Sequence, residues 1–292
     1  MQVTFYGTRG SVPVSGPSYA RYGGATTCLC IETGAAAGTP TPSRVIIDCG
    51  TGLSALGRTL AGSPTSAVVL QSHFHWDHVH GFPFFSPIYR PDTTLTLLAA
   101  NRGGKSFHTI LREQMCAPQF PVSLERLPAA ITFRELPPCG TASFGGLVIR
   151  WVEVPHPSGC TAFRVEHAGS ALVFTGDVEL PLVVDGRLAE LAQGAGLLVA
   201  DCQYFGSEYE LRRGWGHSAI EHAVELGAGC AARHLVLTHH DPLHEDLALD
   251  RKLQAARSVA RSRFLVDNAY DGLVLTVPAA STAAAWDHAS AA

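Results

Sequence analysis

Short apolar runs punctuated by Gly, Pro and Asp recur along the chain, and long amphipathic stretches are few. Residues 3–5, 28–32, 44–48 and 67–71 read as strands separated by glycine-rich turns. Residues 34–43 read as a hairpin-type loop. A helix is predicted over 53–60, closed by Gly62 and Pro64. Residues 81–140 are irregular and proline-rich, with a helical piece at 105–115, and read as an insertion or lid. Strands resume at 147–154, 162–166, 171–175, 197–200, 235–238 and 273–277, with helices at 218–227 and 247–262. Mostly β segments with a few helices predict one layered α/β domain over 1–278. The Ala/Ser-rich residues 279–292 read as a flexible C-terminal tail.

Composition narrows the class. A 292-residue chain with 46% hydrophobic and 16% charged residues suits one large domain with a sizeable core. Lys plus Arg number 21 against 25 acids, a net charge of −4, which argues against a generally basic nucleic-acid binder but not against a local basic groove. No apolar run approaches the roughly 18 residues of a membrane span. The opening Met1-Gln2-Val3-Thr4-Phe5-Tyr6 reads as a strand and not as a signal peptide, so a cytoplasmic protein is expected. Eight cysteines, none in a CxxC pair, read as small buried hydrophobes.

The histidines change the picture. Strand 67–70 delivers His73-Phe74-His75-Trp76-Asp77-His78, four metal-ligand types in six residues. His73 and His75, two apart on an extended segment, face the same way, and Asp77 and His78 follow in a turn into a helix. Imidazole with carboxylate suits Zn, Fe or Mn rather than Ca. A polar loop of satisfied histidines is the alternative, disfavoured by the density of ligands. His156 in Pro155-His156-Pro157, Asp177 in Thr175-Gly176-Asp177, and His239 each follow a predicted strand. Alone, each reads as a cap or surface group. Together they place His or Asp at four strand ends, the convergence that a dinuclear site needs.

This arrangement resembles the metallo-β-lactamase superfamily, whose HxHxDH signature is matched by His73, His75, Asp77 and His78. The resemblance implies a four-layer αβ/βα sandwich. It implies one metal on His73, His75 and His156, a second on Asp77, His78 and His239, and Asp177 bridging both; His240 is the rival to His239. Tyr6-Gly7-Thr8-Arg9-Gly10-Ser11-Val12-Pro13, Arg21-Tyr22-Gly23-Gly24, Ile47-Asp48-Cys49-Gly50-Thr51-Gly52 and Gly216-His217-Ser218 resemble the ribonuclease Z and phosphodiesterase-like branch. The last is similar to that branch's His-Ser-Thr motif, whose His is implied to assist proton transfer or hold the scissile phosphate. Ala25 stands where relatives have Asn, and Ala219 where the motif has Thr, which weakens the analogy with tRNA processing.

The expected activity is a dinuclear metal-dependent hydrolase, a phosphodiesterase acting on a small phosphodiester or cyclic nucleotide. Two divalent ions are implied, Zn first with Mn or Fe compatible, acidifying a bridging water. Asp77 would orient the hydroxide as well as ligate, and His217 would protonate the leaving oxygen. Arg9 and Ser218 are the candidate substrate contacts, with a solvated loop charge as the alternative for Arg9. Asp48 reads as a partner of a ligand His or a turn cap, and His80 as a residue behind the ligands. Phe74 and Trp76 read as packing the strand end. Residues 82–85 read as core, with a pocket wall or homodimer contact as alternatives. A thioesterase or lactonase of the glyoxalase II kind shares the ligand set; an RNA-processing nuclease and a non-catalytic metal-binding sensor are the further alternatives. The acidic balance disfavours a large RNA.

Overall fold

The computed structural model describes residues 1–34, 44–181 and 186–277. Most of the loop expected at 34–43, and the tail expected at 279–292, lie outside these residues. Two sheets carry the fold. The first contains β1 (Gln2–Gly7), β2 (Cys28–Glu32), β3 (Arg44–Ile47), β4 (Thr65–Gln71), β5 (Thr93–Ala99), β6 (Ala130–Glu135) and β14 (Val274–Thr276), in the order β14-β1-β2-β3-β4-β5-β6. The second contains β7 (Cys139–Phe144), β8 (Leu147–Val154), β9 (Cys160–His167), β10 (Ser170–Phe174), β11 (Leu197–Asp201), β12 (His234–Thr238) and β13 (Leu265–Asn268), in the order β13-β12-β11-β10-β9-β8-β7. The strands β3 to β6 pair in parallel, as do β10 to β13.

The strand pleat explains the layering. Successive side chains leave opposite faces of a strand, and strands covered on both faces are apolar throughout. Val45 and Ile47 therefore join Phe5, Leu70, Phe163 and Val199 in the core between the sheets. Ile46 and Val69 point outward, under α1 (Leu53–Thr59) and α3 (Phe107–Gln114). Leu198, Leu235 and Leu237 point out on the other side, under α4 (Arg187–Ala192), α5 (Ile220–Gly229) and α6 (Asp246–Ala260). The result is the four-layer αβ/βα sandwich that the resemblance implies. Among the described residues no helix is long and apolar enough to cross a membrane.

Residues 81–140 are not an insertion. They supply β5 and β6 to the first sheet and open the second with β7. Their apolar signal is weak because β6 and β7 bury little, alternating exposed and half-buried positions. The expected helix at 105–115 is α3, whose Ser106 side chain caps Thr109 N–H at 3.2 Å.

Strands β8, β10, β11 and β12 run in one direction, so their carboxyl ends share an edge. Ligands characteristically bind at such an edge in open α/β sheets. The end of β4 meets it from the first sheet, through the short helix α2 (Trp76–Val79). Residues with left-handed backbone lie here, among them Ser11 (φ 62°), Asp48 (φ 61°) and His239 (φ 57°). Such conformations cost non-glycine residues stability and persist where their surroundings over-determine them.

Candidate metal centre

Six imidazoles close a ring at this edge. Centroid separations run from His73 to His75 at 4.5 Å, His75 to His156 at 4.9 Å and His156 to His217 at 5.1 Å. The ring returns through His217 to His239 at 4.7 Å, His239 to His78 at 5.5 Å and His78 to His73 at 4.2 Å. Two groups of ligand atoms that share Asp177 converge within it, His73, His75, His156 and Asp177 in one and Asp77, His78, Asp177 and His239 in the other, while Asp201, His217 and His239 form a third. In the first, His156 Nε2 lies 3.1 Å from His75 Nδ1 and His73 Nε2 lies 3.5 Å from Asp177 Oδ2. In the second, His239 Nε2 is 3.1 Å from both Asp77 Oδ2 and Asp177 Oδ2, and 3.4 Å from His78 Nε2. Asp177 belongs to both groups, and His239 rather than His240 joins them. His240 donates from Nε2 to the Ala269 carbonyl at 2.9 Å and is fully buried elsewhere.

Polar groups behind the ligands fix which nitrogen faces inward. His78 Nδ1 is held by Asp48 Oδ2 at 2.7 Å, and Asp48 in turn accepts from Ser72 N–H and Oγ, each at 2.7 Å. His239 Nδ1 meets Gln203 Oε1 at 3.0 Å, and His156 Nδ1 donates to the Gly216 carbonyl at 2.8 Å. Asp77 Oδ2 accepts from Ser11 N–H at 2.7 Å. Such partners orient ligands and raise their basicity.

Charge divides the groups. Burial holds His73, His75 and His156 below the usual imidazole range, which keeps them neutral and able to donate a lone pair. Burial also opposes charge on His78 and His239, but Asp177 and Asp77 outweigh it. His78 rises well above its ordinary value and His239 is pushed up to about 10. Burial would raise Asp77 and Asp177, yet the imidazoles hold both well below the carboxylate range. His73 Nε2 is buried with no hydrogen-bond partner. An orphaned inward nitrogen, shared carboxylates and nitrogen/oxygen donors only are a set that fits two divalent ions.

The structure places the remaining sequence candidates unevenly. His217 stacks on His239 (interplanar angle 19°), and its Nδ1 lies 2.9 Å from Asp201 Oδ2. Asp201 also accepts from the amides of Val178 and Gln203. Arg9 and Ser218, the expected substrate contacts, are both buried in hydrogen bonds within the protein. Arg9 is fully buried and donates to the carbonyls of Gly23, His244 and Asp241, tying loops together. Ser218 is fully buried, donating to the Val178 carbonyl and accepting from Leu180 N–H. Trp76 is a correction: it is 69% exposed instead of packing the strand end, while Phe74 does pack, stacking on Phe107. Of residues 82–85, Phe82 and Phe85 are core and Phe84 is exposed. Sequence reasoning missed Asp201 and Gln203. Asp201 carried a usable signal, a carboxylate closing a buried strand like the ligands; Gln203 carried none.

A family model for the β-lactamase superfamily domain matches residues 43–240. The chain belongs to the metallo-β-lactamase superfamily. Within it, the chain is similar to the ribonuclease Z and phosphodiesterase-like branch. The ribonuclease Z of Brevibacillus brevis is 32% identical over 105 residues, 36% of this chain and 32% of that protein. That match spans about a third of the curated relative. The probable metallo-hydrolase YhfI of Bacillus subtilis is 26% identical over 231 residues, 76% of this chain and 86% of that one. The crystal structure of YhfI superposes with a TM-score of 0.70 at 19% identity, covering 94% of this chain and 99% of that one. A diphosphatase from the PhnP family superposes with a TM-score of 0.67 at 15% identity, covering 96% and 98%. These structural likenesses establish the superfamily's fold, and the two His/Asp groups at its strand edge could hold divalent ions.

Proposed function

We propose that this superfamily member is a dinuclear phosphodiesterase acting on a small phosphodiester or cyclic nucleotide. The observation that carries the reading is the Asp201–His217 pair, stacked directly on the His/Asp cluster. A metal site alone suits many esters. A buried, carboxylate-backed imidazole beside it supplies a proton to a leaving alkoxide, which is a poor leaving group without one.

Asp201 holds the Nδ1 proton of His217 and orients the ring, leaving the Nε2 proton for the leaving oxygen. As the P–O bond breaks, that oxygen takes the proton and His217 returns to neutral. Asp77, fixed by Ser11 N–H, orients the attacking water. His73, His75, His156, Asp77, His78, His239 and Asp177 would hold two divalent ions, with Zn the first choice and Mn or Fe compatible, which would supply an acidified water and positive charge for the phosphoryl oxygens. The diphosphatase likeness favours phosphorus over carbon centres. The ribonuclease Z likeness supports RNA as the second reading, against which stands the net charge of −4.

The test is hydrolysis of bis(p-nitrophenyl) phosphate by protein reconstituted with Zn or Mn, with Asp177→Ala as control. Turnover that disappears in the variant is expected, followed by a panel of cyclic nucleotides and oligonucleotides. No turnover with two metals bound per chain overturns the reading and sends the search to thioesters and lactones.

A further inference from the structure

The loop that delivers His217 is anchored by a side chain from another loop. Residues 206–216 follow β11 and leave Leu211 and Trp215 exposed, so little apolar burial holds them. Gly214 and Gly216 take φ +83° and +90°, values that glycine adopts without strain but holds at a cost in backbone entropy. Among the described residues, the hydrogen bonds that tie 210–216 to the fold beyond 204–218 go to two partners, Glu179 and His156.

Glu179 lies two residues past Asp177 and joins three loops of the site. Its Oε1 accepts from Gly214 N–H at 2.8 Å and from the Tyr209 hydroxyl at 3.0 Å, and its Oε2 accepts from Gly216 N–H at 2.9 Å. Its own N–H donates to the carbonyl of Pro155, the residue before His156, at 3.3 Å. Bonds to an ionised carboxylate are stronger than those to a neutral oxygen. The peptide between Gly216 and His217 then serves the site from both ends. Its oxygen accepts from His156 Nδ1 at 2.8 Å, which leaves His156 Nε2 facing inward, 3.1 Å from His75. Its nitrogen belongs to His217, whose ring lies on His239 and against Asp201. The contact is close: a Cβ at Gly216 would come within 2.2 Å of Pro157 Cδ and 2.4 Å of His156 Nδ1. Turning this one peptide therefore moves both imidazoles.

We propose that Glu179 is a positioning residue that, through the Gly216–His217 peptide, aims His156 at its metal and His217 at the leaving oxygen. The His156 half stands on the candidate ligand set alone, and the His217 half rests on the phosphodiester reading. A carboxylate that merely stapled the loop would, when removed, weaken both metal groups and the turnover of every ester alike.

The experiment measures Zn affinity by competition with a chromophoric chelator on wild type, Glu179→Ala and Glu179→Gln, each with and without His156→Ala. Glu179→Ala should weaken one of the two Zn ions about 10–100-fold, the range for loss of a partner behind a ligand, and leave the other within about twofold. Glu179→Gln keeps the shape of the side chain and one acceptor oxygen, so it should fall between, and it reports even where Ala unsettles the loop. In the His156→Ala background the ring to be aimed is gone, and Glu179→Ala should change the affinity for the remaining ion less than about twofold. Equal weakening of both ions, no weakening, or an undiminished effect in that background overturns the proposal. The His217 half is read from bis(p-nitrophenyl) phosphate and diphenyl phosphate at saturating Zn, since phenolate needs a proton to leave more than nitrophenolate does. Glu179→Ala and His217→Ala should each lose at least about tenfold more on the phenyl ester. Equal losses on the two esters for Glu179→Ala but not for His217→Ala overturn that half. Equal losses for both variants, or no turnover by the wild type, overturn the phosphodiester reading and its proton donor, and the Zn shift still upholds Glu179 as the residue that positions His156.

Discussion

The two ligand groups that share Asp177 use the same residue types to opposite effect. One sets three imidazoles against a single carboxylate, and burial keeps those rings neutral. The other sets two imidazoles against two carboxylates, and the carboxylates charge the rings. The first is a set of lone pairs ready for a cation. The second is an internal salt-bridge network that a cation must break into. The ratio of carboxylates to imidazoles thus decides whether metal binding competes with protons.

The largest expected effect comes from removing what the groups share. Asp177→Ala should cost both metals and lower activity by about a thousandfold or more, a loss of at least about 4 kcal/mol in transition-state stabilisation. His156→Ala should empty only the three-imidazole group, leaving one metal per chain by elemental analysis. Two metals lost in both variants would mean that the groups fill as one unit.

Protons give the next contrast. With His78 and His239 both charged at pH 7 in the metal-free state, filling their group displaces about two protons, and its affinity should fall about a hundredfold from pH 7 to pH 6. The three-imidazole group should release almost none at pH 7. Calorimetric titration in buffers of different ionisation enthalpy counts these protons, and equal release from both groups would refute the distinction. The same shift sets a stability window without metal. The raised His239 contributes stability fully present below pH 6.5 and lost as pH climbs through about 10, at most about 5 kcal/mol. Thermal melts of metal-free protein across that range should show the decline.

The asymmetry also explains what the sequence reveals. Four residues of metal-ligand type fall within six positions, a density that no structural role requires, and the fold brings all four into the two candidate groups. His156, Asp177 and His239 are recognisable because each ends a buried strand. The residues that charge and orient them are dispersed. Asp48 lies 30 positions from His78, and Gln203 lies 36 from His239. No local period links such pairs; they meet only once the sheets stack. The inward turn of Arg9 is not legible in the sequence, because a charged residue in a loop normally faces water, whereas three carbonyls draw it inward here. The strands within 81–140 escaped because β6 and β7 lie half-exposed with little apolar contrast.

The smallest effect tests how much orientation the second group borrows from its surroundings. Gln203→Leu removes the acceptor for His239 Nδ1, and loss of such a partner typically weakens metal affinity about 10–100-fold. Here the loss should fall near the lower end. The His239 ring is stacked on His217 at 4.7 Å, and on its edge a Cβ at Gly10 would come within 2.3 Å of Nδ1 and Cε1. Packing therefore restrains the ring even when the hydrogen bond is gone. Gly10→Ala should accordingly weaken the second metal more than Gln203→Leu, because its methyl group must displace the imidazole itself, while the three-imidazole group keeps its metal in both variants. Metal stoichiometry and competition with a chromophoric chelator rank the two. If Gln203→Leu were the more damaging, hydrogen bonding rather than packing would be what aims His239 Nε2 at the cation.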